Sequence, residues 1–224
     1  MTISLAGRCA RTGAMGGIIS SSSPAVASRC LWVSSQGVVM TQNVTDPVLG
    51  ILGIKLLEQG YGASGVISQL TCARPHIDWR QLAALDSSGQ AQTFTGSQGL
   101  GIAATAIGQD CVAAGNMLAN EAVLEAMVRG FESDPYAYIA ERLLNALKSG
   151  LAAGGEAGPV HSAGLTVHDS DLWPCVDLRI DWSDSSVFDD LQGLWQRYQP
   201  QMRDYVTRAR NPKDAPSYGV PGDP

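Results

Sequence analysis

A threonine directly after Met1 can become a catalyst. A small second residue lets methionine aminopeptidase trim the chain, which leaves Thr2 with a free α-amine beside its own hydroxyl. That amine has an ordinary pKa of roughly 7.7–8.0 and accepts a proton near neutrality. A hydroxyl next to such a base is one of the recognised activated nucleophiles of covalent catalysis. Most chains that begin Met-Thr make no chemical use of the pair, so the weight falls on the residues beyond it. Ser21 ends a segment that returns toward Thr2, and a second hydroxyl there would shuttle a proton; Ser20 to Ser23 also read as a solvated strand end. Thr41-Gln42-Asn43 closes a strand just before a helix, and these side chains either line a pocket or cap the helix. Gly115-Asn116 closes another strand before a helix. Glycine lets a backbone approach a ligand, and an Asn amide can donate to a developing oxyanion; the alternative is a turn Asn bonded to its own backbone.

The elements that must position these residues begin with a hairpin. Residues 3–8 and 14–21 are mostly apolar and flank Arg11-Thr12-Gly13, a turn signal, so a β-hairpin starts at Thr2. A second strand pair is expected at 29–34 and 37–42. Pro47 suits the first turn of a helix running to Gln59, with Asp46 or Thr45 as N-cap and Gly60 as its stop. Another helix covers 63–72. Strands are expected at 80–85 and 91–95, joined by Asp86-Ser87-Ser88-Gly89, and at 110–114. Helical spacing of apolar residues marks 121–131 and 135–149, the latter with Ile139, Leu143, Leu144 and Leu147 on one face. A flexible Gly/Ala loop is expected over 150–158, strands over 165–168 and 176–182, and a helix over 187–208. Residues 1–208 form one domain, and 209–224 are expected to be a flexible Pro-rich tail. The order is not the βαβα alternation of a doubly wound sheet. Two antiparallel sheets between helical layers, an α+β sandwich, fit it better.

Composition removes several function classes. The 224 residues carry 45% hydrophobic side chains, enough for a sizeable core. The formal net charge is −6, and the one basic cluster, Arg203 to Lys213, is interrupted by Asp204, so nucleic acid is not an expected partner. Five scattered cysteines without a C-x-x-C pair suggest reduced thiols, a cytoplasmic location and small core residues. No apolar run reaches the length of a membrane span, and no signal peptide is recognised. His76, His161 and His168 have no paired ligand spacing, so neither a metal nor another cofactor is expected. Asp177, Arg179 and Asp181 share one strand face and read first as a surface charge ladder.

Taken together the residues resemble a known bacterial family, the domain of unknown function 1028. The matching pieces are Met1-Thr2 with Ser4, Thr12-Gly13, Gly16 and Ser21; then Ala25-Val26, Thr41-Gln42, Arg80-Gln81-Leu82, Asp86 with Gly89, and Gly96. Further on come Gly115-Asn116-Met117-Leu118, Arg142-Leu143-Leu144 with Ala146-Leu147, Gly154-Gly155, Ser162-Ala163, and Asp177 to Asp181. Their order and spacing over roughly residues 2–182 carry the resemblance. It implies a four-layer α-β-β-α sandwich of the N-terminal-nucleophile (Ntn) hydrolase kind, whose members cleave amide bonds through a first-residue Thr, Ser or Cys. The family itself has no settled reaction. The chain departs from the family pattern in the loop after Gly154-Gly155: Glu156 keeps an acidic residue, but Gly158 stands where an Arg is usual, and His161 replaces a residue that is often Gln. After Ser21 the chain is one residue shorter than the pattern.

These residues read as a hydrolase of a small amide, lactam or ureido compound. Thr2 would attack, Ser21 would assist proton transfer, and Asn116 would stabilise the oxyanion. Thr41, Gln42, Asn43, Glu156 and His161 would contact the substrate, with Thr2, Ser21, Thr41, Gln42 and Asn116 around one cavity and His161 at its rim. A homo-oligomer is expected. The alternative is a non-catalytic small-molecule-binding or oligomeric scaffold protein on the same fold; a metal or phosphate enzyme is the remaining class.

Overall fold

Strand β1 (Thr2–Arg8) is buried at every position but its last, and β2 (Met15–Ser21) is buried throughout. Strands covered on both faces cannot alternate apolar with polar residues, and these two use Ile, Leu, Ala, Gly and Ser instead. They therefore lie in the interior of a layered structure. The computed structural model describes residues 1–220 and shows that structure to be a four-layer α-β-β-α sandwich.

Among the described residues, ten antiparallel strands make two sheets. The larger has the order β10-β9-β2-β1-β8-β7, and the smaller β3-β4-β5-β6. The remaining strands of the larger sheet are β7 (Ala104–Gly108), β8 (Cys111–Asn116), β9 (Ser162–His168) and β10 (Val176–Ile180). The smaller sheet comprises β3 (Leu31–Ser34), β4 (Gly37–Asn43), β5 (Arg80–Asp86) and β6 (Ala91–Thr95). The short helix α1 (Ala27–Cys30) links β2 to β3. Helices α2 (Pro47–Glu58) and α3 (Ala63–Ala73) cover the smaller sheet; α4 (Ala122–Glu132), α5 (Ile139–Ala152) and α6 (Val187–Arg210) cover the larger.

Strand alternation sorts the side chains into three cores. On β1, Ile3 and Leu5 face the helices and pack with Leu124, Met127 and Phe131 of α4, Leu143 and Leu147 of α5, and Leu191 and Trp195 of α6. Ala6 faces the other sheet, in a core with Met15, Ile19, Val38, Met40, Ala83, Leu85, Val112 and Ala114. The third core joins Val39, Leu82 and Ala84 to Leu49 and Leu57 of α2 and Val66 and Leu70 of α3. Gly7 shows how tightly the layers close. A Cβ built there would overlap the edge of the Phe131 ring, so only glycine lets that ring seat on β1.

The expected hairpin, helices and strand pairs are present, with three differences. Residues 104–108 form an edge strand that the sequence conceals: short, rich in Ala and bracketed by glycines, it carries almost no periodic signal. Helix α5 starts at Ile139 rather than at 135, because the Asp134 carboxylate accepts from Tyr136 N and Ala137 N and holds a turn there. It then runs to Ala152, so the loop expected from 150 begins at 153. Gly154 and Gly155, at φ 125° and 61°, end the helix in conformations that favour glycine. Of the expected tail, Ala209 to Val220 are described: α6 continues to Arg210, and the Arg208 guanidinium donates to Pro216 O. The last four residues lie outside the described ones.

Asp46 caps α2, accepting from Val48 N at 3.1 Å, and pairs with Arg74 at 3.0 Å. Pro47 occupies the first turn. Asp46→Ala is expected to lower stability by about 1 kcal/mol through loss of the cap, which for a domain of this size is about 2–4 °C in a thermal melt. An unchanged melt would contradict that role.

Candidate functional site

Thr2 opens a central strand, and its neighbours are set by register. It pairs with Ser21 of β2 on one side and with Asn116 of β8 on the other. Directly opposed residues in antiparallel strands have Cα atoms about 4.5–5.5 Å apart and side chains on the same face. For these three that face is the inter-sheet one, as the parity of Ala6, Ile19 and Ala114 shows. Ser162 of β9 pairs with Ser21 and extends the row. At this end the middle core turns from apolar to polar.

The polar end is hydrogen-bonded across the sheets. Ser4 Oγ donates to Gln42 Oε1 at 2.7 Å, and Gln42 Nε2 donates to Gln81 Oε1 at 2.9 Å. Gln81 Nε2 in turn donates to Gly115 O at 3.0 Å and Ala104 O at 3.1 Å. The Asn116 amide reaches Gln81 Oε1 through a longer bond of 3.4 Å, one readily surrendered to a better acceptor. Thr2 is 6% exposed, and Ser4, Ser21, Gln42, Gln81 and Asn116 are at 1% or less. Ser4 and Gln81 were not among the residues expected in the site. Their signal was present: each is a polar side chain at an inward position of an otherwise apolar strand.

The carbonyl of Met1 lies among the hydroxyls. Thr2 Oγ1 donates to Met1 O at 2.6 Å and Ser21 Oγ donates to the same oxygen at 2.5 Å, with the two hydroxyls 3.3 Å apart. Ser21 Oγ also lies 3.0 Å from Ser23 Oγ, which accepts from the Arg29 guanidinium at 2.7 Å. A nucleophile-type hydroxyl, a second hydroxyl and an acyl carbonyl thus meet at one point.

Glu156 approaches the same end from the helix side. It forms a strand bridge with Leu118, and the Ala157 N–H donates to Met117 O. Its Oε2 accepts from Ser22 N at 3.2 Å. Ser20, whose parity turns it toward the helices, lies near enough to favour the charged carboxylate. Ser20 Oγ and Glu156 Oε1 are both buried, and among the described residues neither meets hydrogen-bond geometry with a partner. Burial pushes the Glu156 carboxyl up to about 8, against the opposing pull of the terminal ammonium of Met1 and the Ser22 N–H. The Met1 side chain rests on Gly158: a Cβ there would lie 2.6 Å from Met1 Cε and 3.2 Å from Sδ.

The other expected site residues divide. Gln42 joins the group. Thr41 and Asn43 do not, because strand alternation carries them to the opposite face of β4. Thr41 Oγ1 lies 3.3 Å from Thr45 Oγ1 and 3.4 Å from Asp46 O, in the turn before α2. Asn43, at φ 71°, donates to Trp79 O at 2.7 Å and accepts from Leu100 N at 3.1 Å, which fastens the segment after β6. This corrects the reading of 41–43 as one pocket-lining run. His161 stands beside the group. Its N–H donates to Ser21 O at 2.9 Å, its ring stacks on Trp182 at 4.3 Å, and Nδ1 lies 2.8 Å from Ser183 O. Arg179 and Asp181 form an exposed ion pair of 2.8 Å, away from these contacts. Among the described residues no helix is long and apolar enough to cross a membrane.

The raised Glu156 carboxyl has a consequence for stability. The fold binds this proton more tightly than the unfolded chain, whose carboxyl titrates near 4.5. The stabilisation is therefore full below about 4.5 and lost as pH rises through about 8. In a chain retaining Met1, the melting temperature relative to that of Glu156→Gln should fall from pH 5 to about pH 8 and level off above it. A difference independent of pH would contradict the burial of an uncompensated carboxyl.

No curated protein matches the chain. The crystal structure of protein SPO2555 from Silicibacter pomeroyi, described by the family DUF1028, superposes with a TM-score of 0.85 at 29% identity, covering 92% of this chain and 90% of that one. The match to Anbu from Hyphomicrobium sp. strain MC1 covers 97% of this chain and 100% of that one at 11% identity, with a TM-score of 0.41. Residues 2–190 match the family described as "Family of unknown function (DUF1028)", and the chain belongs to that family.

Proposed function

We propose that this protein is an N-terminal-nucleophile amidohydrolase of a small amide, lactam or ureido compound, active in the form that begins at Thr2. The observation that carries the reading is the meeting of the Thr2 and Ser21 hydroxyls on one acyl oxygen, at 2.6 and 2.5 Å. In the trimmed chain the Thr2 α-amine takes the proton of its own Oγ, directly or through Ser21. Oγ attacks the substrate carbonyl carbon, and the oxyanion receives a hydrogen bond from Asn116, released from its long bond to Gln81. The α-amine then passes its proton to the leaving nitrogen as the C–N bond breaks. An ester on Thr2 remains, and a water deprotonated by the same amine hydrolyses it to the acid. Gln42 and Gln81 position Asn116 in this scheme, and His161 stands at the rim.

Thr2 is nearly buried while Met1 is attached. Trimming therefore belongs to the nascent chain, before β1 is enclosed. The same burial supports the second reading: a protein that keeps Met1 covers its hydroxyl and is a binding or scaffold protein.

Intact mass separates the two. Against a panel of small amides, lactams and ureido compounds, turnover should belong to the species lacking Met1. Thr2→Ala should abolish it with a nearly unchanged melt, since little core contact is lost. Asn116→Ala should lower kcat by about 10²–10³. Full activity in a preparation that retains Met1 throughout would overturn the mechanism.

A further inference from the structure

A cavity of about 410 Å³ lies where the β1–β2 turn, the β7–β8 turn and the connection of α4 to α5 meet. This is the Arg8 end of β1, about 20 Å along the strand from Thr2. We propose that the cavity binds a small organic monocarboxylate through Arg142. The proposal does not depend on Thr2 being a nucleophile.

Arg142 is 7% exposed, and among the described residues no carboxylate forms an ion pair with it. An enclosed charge without a counter-charge is costly. The structural work of the side chain engages only part of the guanidinium. Nε donates to Phe131 O at 3.1 Å, and Cζ lies 3.9 Å from the centroid of the Phe131 ring. These two contacts fix the plane of the group. The terminal Nη1 and Nη2 amino groups make no hydrogen bond among the described residues. Two parallel N–H donors in a fixed plane are the geometric counterpart of a carboxylate.

The walls select among anions. Pro135, Ala10 and the exposed ring of Tyr136 supply an apolar surface. Arg11 ties the β1–β2 turn to that surface: it donates to Tyr136 O at 2.9 Å, with Cζ 5.8 Å from the ring centroid. Two carboxylates also line the cavity, and each is already engaged. Asp110 pairs with Arg8 at 2.9 Å, and Glu132 accepts from Gln109 N at 2.7 Å. Arg8, Arg11 and Arg142 against Asp110 and Glu132 leave one positive charge over. A monoanion balances it, whereas a phosphate dianion overshoots and is repelled by Glu132. Arg142 also borders a cavity of about 190 Å³, but the other charged residues there are Asp134 and Glu141, which repel an anion.

Titration calorimetry of the full chain at neutral pH tests this with benzoate, benzamide, acetate and inorganic phosphate. Benzoate should bind at least about 10-fold more tightly than neutral benzamide. It should also bind more tightly than phosphate, and than acetate, which has no body to cover the apolar wall. Arg142→Lys keeps the charge but loses the fork, and should weaken benzoate about 10-fold. Because Arg142 also braces Phe131, two exposed positions give an independent reading. Arg11→Ala and Tyr136→Ala should each weaken benzoate with a nearly unchanged melt. Thr2→Ala should leave benzoate binding as it is, which separates this cavity from the other end of β1. No saturable binding of benzoate, equal binding of benzamide, or a preference for phosphate overturns the proposal. So does full benzoate affinity in a folded Arg142→Lys or in both exposed variants, or a loss of affinity in Thr2→Ala.

Discussion

The hydrogen bond from Ser4 to Gln42 joins two sheets that otherwise touch mainly through apolar side chains. Apolar contact is non-directional and tolerates sliding, whereas a buried hydrogen bond does not. Ser4 is bonded to Gln42, Gln42 to Gln81, and Gln81 to the Gly115 carbonyl beside Asn116. The line begins and ends on the larger sheet and passes through the smaller one. Breaking it at one point strands a buried donor or acceptor, at roughly 1–3 kcal/mol each. The register of Thr2 against Ser21 and Asn116 is set within the larger sheet; its placement beneath the smaller sheet is set by this line.

That arrangement explains why a polar cluster persists inside a small-residue sandwich. Thr2, Ser4, Ser21, Ser162 and Asn116 fall on one face because each sits at the correct parity of its strand. Glu156 reaches the same end by another route, through the glycine turn that stops α5. Most of these groups are partnered and account for themselves structurally. The unpartnered oxygens of Glu156 and Ser20 do not. Trp32 Nε1, Arg80 Nε and His168 Nδ1 are equally without partners among the described residues, so an orphan atom alone marks nothing. Glu156 differs in being a nearly enclosed carboxyl that accepts from Ser22 N, beside Ser21.

Much of this was legible in the chain, for identifiable reasons. The hairpin at Thr2 is announced by two apolar runs around Thr12-Gly13, and the cap of α2 by Asp46-Pro47. Strand β7 was hidden because its Ala-rich, glycine-bracketed sequence has neither alternation nor a run of branched residues. Thr41 and Asn43 were grouped with Gln42 because adjacency in sequence is easily read as adjacency in space, whereas a strand sends neighbours to opposite faces. The pairing of Ser4 with Gln42 and the place of Gln81 depend on which sheet lies over which, and no local pattern encodes that. The seat of the Met1 side chain on Gly158 is of the same kind, a contact between the two ends of a long stretch of chain.

The proposed activity requires Thr2 to act as a free-amine nucleophile. The most direct measurement is treatment of Met1-free protein with an acylating β-lactone, followed by intact mass and fragmentation of the N-terminal peptide. The account predicts one adduct per chain, an ester on Thr2, which Thr2→Ala abolishes and denaturation before treatment prevents. An unmodified Thr2 with the adduct on another residue would contradict it.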